Sequence, residues 1–249
     1  MDNENKTTGE QNGENSTENT QNGTVQTNNI EQVNKIRQTD NTDFADSHVS
    51  EALPKYIRQK FDKYPILDGR TYSYEEYNKW DCKEGERWEL HDGIPVKLEA
   101  AEYDHVSINS ELHGLLWSYI KNKRKKCKVF FSLGVKIDAA STRKNAFIPD
   151  ITVVCNKDKF DNYGCNGAPD LVMEILSPST SKNDKTFKYT KYEQEGVPEY
   201  WIIDPKKKLV TVNILTNGKY IAHPYTEKDK VKVHIFDGCI IDLAEVFEE

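Results

Sequence analysis

At 249 residues the chain has room for one generous domain or two small ones, and 36% hydrophobic against 30% charged residues leaves enough apolar material for an ordinary core. The net charge of −7 is uneven: residues 1–48 carry nine acids and three bases, so 49–249 are left nearly neutral with 32 acids and 31 bases, which neither demands nor forbids a polyanionic ligand. No apolar run approaches the roughly 20 residues of a membrane-crossing helix, and MDNENKTTGE has neither the basic nor the apolar region of a secretory leader, so no membrane association is expected.

Residues 1–48 are dominated by Asn, Thr, Glu, Gln, Ser and Gly. Such a stretch buries too little apolar surface to offset its ordering entropy and is expected to be a disordered polar tail, with 49–249 forming a single domain. An amphipathic helix is expected over 51–63. Residues 71–80 (TYSYEEYNKW) open with a capping signature, a hydroxyl side chain followed by acids and then aromatics. In 87–100 (RWELHDGIPVKLEA), Asp92-Gly93 predicts a hairpin turn. Residues 103–121 place Ile108, Leu112, Leu115, Leu116, Tyr119 and Ile120 at helical spacing, and the helix runs out into KNKRKKCK at 121–128. Strands are expected over 129–137, 148–155 and 170–176, the last apolar on both faces apart from Glu174. SPSTSKND reads as loop and cap, 184–195 as a helix stopped by Gly196 and Pro198, and 200–203 and 209–215 as strands joined by a turn at Asp204-Pro205-Lys206. The sum is an α/β fold, a mixed β-sheet core flanked by helices.

Several familiar chemistries find no support. The five cysteines are odd in number, irregularly spaced and without a CxxC pair, suggesting neither a zinc knuckle nor a disulfide framework, and a reducing, cytoplasmic setting fits them. The six histidines lack HExxH spacing, Ser177 and Ser179 lack a G-x-S-x-G elbow, and the glycines form no phosphate-cradling loop.

Two carboxylates stand out. Asp150 follows Pro149 at the start of one strand, and Glu174 lies inside the next apolar run, where an uncompensated charge is costly. Should those strands pair, the two acids converge and repel unless a cation or proton intervenes, and Mg²⁺ suits an oxygen site that keeps several waters. Either acid alone reads better as a solvated or salt-bridged strand-end group. On the following helix Asp184, Lys188 and either Lys191 or Tyr192 share a face. Lys188 could therefore reach the carboxylates, or simply pair with Asp184 four residues away, and spacing does not separate these readings. The 121–128 lysines suit a phosphate backbone and, equally, the negative end of a helix dipole.

The ordered segments RWELHDGIPV, IPDITVVC, GAPDLVMEILSPST, D-x-x-x-K over 184–188 and GVPEYWIIDP resemble the Uma-type (Uma-two) restriction-endonuclease family over 71–215. The resemblance implies a restriction-endonuclease-like PD-(D/E)xK fold and metal-dependent DNA phosphodiester hydrolysis, with Mg²⁺ as cofactor and Mn²⁺ as substitute. By position, Pro149-Asp150 is the PD, Asp150 and Glu174 bind the metal, and Lys188 positions the attacking water. The superfamily lysine is replaced here by Leu176, so Lys188 would take over its role from the next helix. Glu89 resembles the family's upstream acid and His105 a residue at its first helix, both accessory. Asp170, four residues before Glu174 and so on its strand face, is a rival acid. The partner implied is nucleic acid, DNA first, and a homodimer suits double-strand cleavage. The alternative is a catalytically inactive nucleic-acid-binding or regulatory protein of the same fold.

Overall fold

A computed structural model describes residues 69–80, 85–123, 125–137 and 145–248. The expected tail and the 51–63 helix lie outside the described residues, which all fall within the unit Pro54–Glu249.

The first described element, α1 (Tyr74–Tyr77), starts where the sequence predicts a cap. Ser73 Oγ accepts from the Glu76 N–H while the Glu76 carboxylate accepts from the Ser73 N–H, satisfying two otherwise orphaned donors. Strands β1 (Arg87–His91) and β2 (Ile94–Leu98) form the expected hairpin. Its turn residues Asp92 and Gly93 have φ of +46° and +86°, the left-handed pair that matches strand twist.

Helix α2 (Tyr103–Asn122) buries Ile108, Leu112, Leu116 and Ile120, a strict four-residue repeat along one face. After it come β3 (Lys128–Phe131), β4 (Val135–Ile137), β5 (Asn145–Phe147), β6 (Ile151–Val154), β7 (Phe160–Asp161), β8 (Gly164–Asn166) and β9 (Leu171–Ile175). The helical stretch after β9 has three parts, α3 (Ser181–Asn183), a π-helical segment (Asp184–Lys188) and α4 (Tyr189–Glu195). Gly196 ends it with φ +84°, the left-handed cap a glycine adopts most cheaply. Then follow β10 (Glu199–Asp204), β11 (Leu209–Thr216), β12 (Lys219–Thr226), β13 (Lys230–Lys232), β14 (Ile240–Asp242) and α5 (Leu243–Val246).

The expected mixed β-sheet core flanked by helices is present, and its strands make two six-stranded sheets and a small β13–β14 pair. The first runs β2-β1-β5-β4-β8-β7 and the second β12-β11-β10-β9-β6-β3. In the second, β9 is parallel to β10 and antiparallel to β6. That parallel pair needs a crossover, which α3 to α4 supply.

Residues alternate across β9. Leu171, Met173 and Ile175 join the α2 side of the core, while Val172 packs on the other side with Tyr192, Tyr200, Val135 and Phe147. Fully burying an aliphatic side chain such as Leu112 or Leu116 is worth about 1.5–3 kcal/mol, so α2 is held mainly by this face. No described helix is long and apolar enough to cross a membrane.

The strand expected over 129–137 divides in two, and the halves belong to different sheets. Ser132 takes φ +45°, and Gly134 lies against Gly164 so closely that a Cβ on Gly164 would sit 2.0 Å from the Gly134 carbonyl oxygen. β-Branched and aromatic residues on both sides of the break conceal it in sequence. The cysteine reading is also corrected, because the sulfurs of Cys127 and Cys155 are bonded. They flank the β3–β6 register, in which Lys128 opposes Val154, so sheet pairing brings together residues 28 apart in the chain.

Candidate active site

Strand β1 in the first sheet, β9 in the second and the π segment between β9 and β10 converge on one buried ammonium. Lys188 Nζ donates to Glu89 Oε1 at 2.9 Å and to Glu174 Oε1 at 3.0 Å, with Asp184 Oδ1 3.4 Å away. Lys188 is only 3% exposed. A π segment, rare and often functional, shifts side-chain direction within a helix. Here it contains both Asp184 and Lys188, the buried charges of the helical stretch.

Each acid has further donors. Glu89 Oε1 also accepts from the Ile148 N–H, and Glu89 Oε2 lies 2.7 Å from His91 Nε2. Glu174 Oε1 also accepts from the Tyr192 hydroxyl at 3.1 Å. Asp150 Oδ2 accepts from the Ile175 N–H at 2.7 Å, stitching the start of β6 to the end of β9, and lies 3.1 Å from His105 Nε2. His91 is stacked on Phe187 with centroids 5.0 Å apart, which fixes its ring against Glu89.

The electrostatics are those of too many carboxylates around one cation. Burial, reinforced by the charges of Asp184, Asp150 and Glu89, pushes Glu174 well above the usual carboxylate range despite Lys188. Burial and the Glu89 and Asp150 charges likewise raise Asp184. Burial also opposes the charge of Glu89, but Lys188 and His91 outweigh it and hold Glu89 at about 2. Burial works against a charged Lys188, yet Glu174, Glu89 and Asp184 carry its pKa well above normal. It is therefore a fixed positive charge and cannot serve as a base. For His105, the hydrogen bond and charge of Asp150 overcome burial and raise the pKa.

A cleft of about 50 Å³ opens on this cluster, with Arg87, Glu89, His105, Asp150, Glu174 and Lys188 among its walls. Among the described residues no three His, Cys, Asp or Glu side chains gather into a metal cage. The donor set nonetheless fits Mg²⁺, which takes one or two carboxylates and completes its shell with water and substrate oxygens. Asp150 and Glu174 each use one carboxylate oxygen for the contacts above, and both line the cleft. A divalent cation between them would also relieve the repulsion that raises Glu174.

Of the residues singled out in sequence, Asp150, Glu174, Lys188, Glu89 and His105 all meet at this cleft. Asp170 does not. It precedes β9 at the strand's opposite end, where its Oδ2 accepts from the Cys155 N–H. Four residues of extended chain span about 13 Å, which separates Asp170 from the cleft. Tyr192, rather than Lys191, is the next residue on the Lys188 face to reach the acids, and Lys191 pairs with Asp92 of the hairpin. Sequence reasoning gave no role to His91 or Arg87. Strand alternation was the available signal, since 87, 89 and 91 share one face of β1.

The family described as "Putative restriction endonuclease" (Uma2) matches residues 74–244, most of the chain and every element of the site. The chain belongs to the Uma2 family. A relative, "Uncharacterized protein slr1290" of Synechocystis sp., is 30% identical over 136 residues, which are 53% of this chain and 67% of that protein. The Uma2 fold is also similar to a solved structure titled a "putative nuclease belonging to DUF820" from Anabaena variabilis. The match has a TM-score of 0.57 at 21% identity and covers 71% of this chain and 97% of that one.

Proposed function

We propose that this Uma2 chain is a Mg²⁺-dependent endonuclease that hydrolyses phosphodiester bonds of DNA, with Mn²⁺ able to replace Mg²⁺. One observation carries the reading: Asp150 and Glu174, from adjacent strands, open on the same cleft while a buried lysine braces Glu174 from behind. Asp150 and Glu174 would hold the metal, which when bound lowers the pKa of a coordinated water and offsets phosphate charge.

The protein's own groups do the positioning. Ile175 N–H and His105 orient the Asp150 carboxylate, and Lys188 and Tyr192 orient that of Glu174. Lys188, always protonated, can hold the attacking water or stabilise a phosphate oxygen at the cleft wall, while Glu89 and Asp184 hold Lys188 in turn. Double-strand cleavage would require a second site, which a homodimer would provide.

The test is cleavage of plasmid and single-stranded DNA with Mg²⁺ or Mn²⁺ by wild type and by Asp150→Ala, Glu174→Ala and Lys188→Ala, with metal binding measured by calorimetry. Metal-dependent nicking lost in the variants is expected. A wild type that binds nucleic acid but neither binds metal nor cleaves would overturn the enzyme in favour of a non-catalytic binding protein of this fold.

A further inference from the structure

A second hollow, a cavity of about 780 Å³, lies at the other end of α2 from the acid cleft. Its walls come from the last turns of α2, the approach to β3 and the residues following β6. Five lysines line it, Lys121, Lys125, Lys126, Lys128 and Lys157, together with Trp117, and no acid does. All five are exposed, and among the described residues none forms an ion pair. The Cys127–Cys155 bond fastens the lysine-rich approach to β3 onto the end of β6, which holds lysines from both segments around one hollow.

Helix-end lysines that only answer a dipole are normally spread into solvent. Here Lys157 comes from a different strand end and lines the same hollow as the four lysines at and after the end of α2, a concentration of like charge that favours an anion. Trp117 stands half-exposed at the rim with Lys121 Nζ 5.7 Å from its ring. The solvent face of α2 also carries exposed Val106 and Tyr103, and His113 stacks on the exposed Phe131. His105 and Lys121 are 16 positions apart on α2, about 24 Å along the axis, a distance that several nucleotides of a single strand cover.

We infer that this lysine cavity is a second nucleic-acid contact, in which the lysines hold phosphates of a single strand and Trp117 stacks one of its bases. The inference deepens the nuclease reading and rests on it for the identity of the polyanion. A strand lying on α2 would have its reacting phosphate at the Asp150–Glu174 cleft and its neighbouring phosphates at the lysines. Unpaired bases are favoured because stacking on Trp117 needs a free base face, which duplex does not offer.

The probe is a fluorescein-labelled 24-nucleotide oligothymidylate, followed by anisotropy in Ca²⁺ between 50 and 200 mM salt as orders of magnitude for the Debye range. The full chain is compared with Lys125→Glu/Lys126→Glu/Lys128→Glu, with Trp117→Ala and with Asp150→Ala. The triple variant should lose at least about tenfold in affinity and flatten the logarithmic salt slope by about 2. Trp117→Ala should lose about 5- to 100-fold on this strand and little on a blunt duplex. Cleavage of a dinucleotide substrate, too short to reach from the cleft to the lysines, should be unchanged in the triple variant. Unchanged affinity in the triple variant would overturn the inference, as would binding only to vesicles of anionic phospholipid. Melting temperatures show whether each variant is folded. If wild type fails to cleave any substrate yet shows lysine- and Trp117-dependent binding, the catalytic reading fails and this one stands. Cleavage without that dependence gives the reverse.

Discussion

The two ends of the α2–β6 layer use lysine in opposite ways. At the Asp150 end a single lysine, 3% exposed, is enclosed by three carboxyl groups whose electrostatic pull holds it charged. At the Cys155 end five exposed lysines surround a hollow with no acid in its lining. The first arrangement is a fixed element of the fold, since desolvated charges must be matched within the protein. The second leaves its charge to be matched from outside, so it can act on a partner only through long-range attraction that salt weakens. The contrast teaches that composition says little about such a chain: the body is nearly neutral, yet its charge is sorted into an acidic cleft and a basic cavity.

The sharpest way to break the comparison is at the acid cleft itself. Asp150→Ala should lower metal-dependent cleavage by at least about 100-fold, the scale for removing one key electrostatic group, and should weaken Ca²⁺ binding in a titration that needs no turnover. Comparable metal affinity in that variant would remove Asp150 from the ligand set.

Next in size is the buried lysine. Lys188→Met strands Glu89, Glu174 and Asp184 without their cation and should cost about 3–5 kcal/mol in urea unfolding. Glu174 and Asp184 already have raised pKa values, so this variant should regain stability as pH falls and the acids take up protons. A loss that is small and independent of pH would show that the cluster is not an ion network.

A smaller effect isolates Glu89. Its carboxyl lies at about 2 in the fold against 4.5 unperturbed, so its contribution is complete above pH 4.5 and is lost as pH falls toward 2. The urea midpoint should drop across that window in wild type, and Glu89→Gln should flatten its share of the drop. Smallest of all, Lys121→Glu or Lys157→Glu should change stability by no more than about 0.5 kcal/mol, as for other exposed sites. A large loss in either would mean that the basic cavity is structural after all, and the contrast between the two ends would collapse.

Much of the local conformation was legible beforehand. The Asp92-Gly93 turn, the four-residue repeat of α2, the apolar run of β9 and the stop at Gly196 each act within a few residues, and each appears where the sequence puts it. Asp150 and Glu174 were singled out as a pair, by their placement on neighbouring apolar strands and by the family resemblance, whereas either acid alone reads as an ordinary strand-end group. The π segment was not, because helical spacing is assumed when a face is read from sequence. Nor was the division of 129–137, where the break is caused by a backbone approach between Gly134 and Gly164.

The sequence by itself determined which residues carry charge into apolar surroundings and which stretches are helix, strand or turn. Only the tertiary structure decided what those charges meet. Lys188 and Glu89 are 99 residues apart and belong to different layers, yet they share a hydrogen bond. Asp170 and Glu174 are four residues apart in sequence, yet Asp170 precedes β9 and binds the Cys155 N–H while Glu174 near the strand's other end meets Lys188. Cys127 and Cys155 are joined through a register that neither cysteine specifies. Local signals fix backbone dihedrals within a turn or two, whereas pairing of distant strands follows from packing the whole core, and that is where the cleft and the cavity are made.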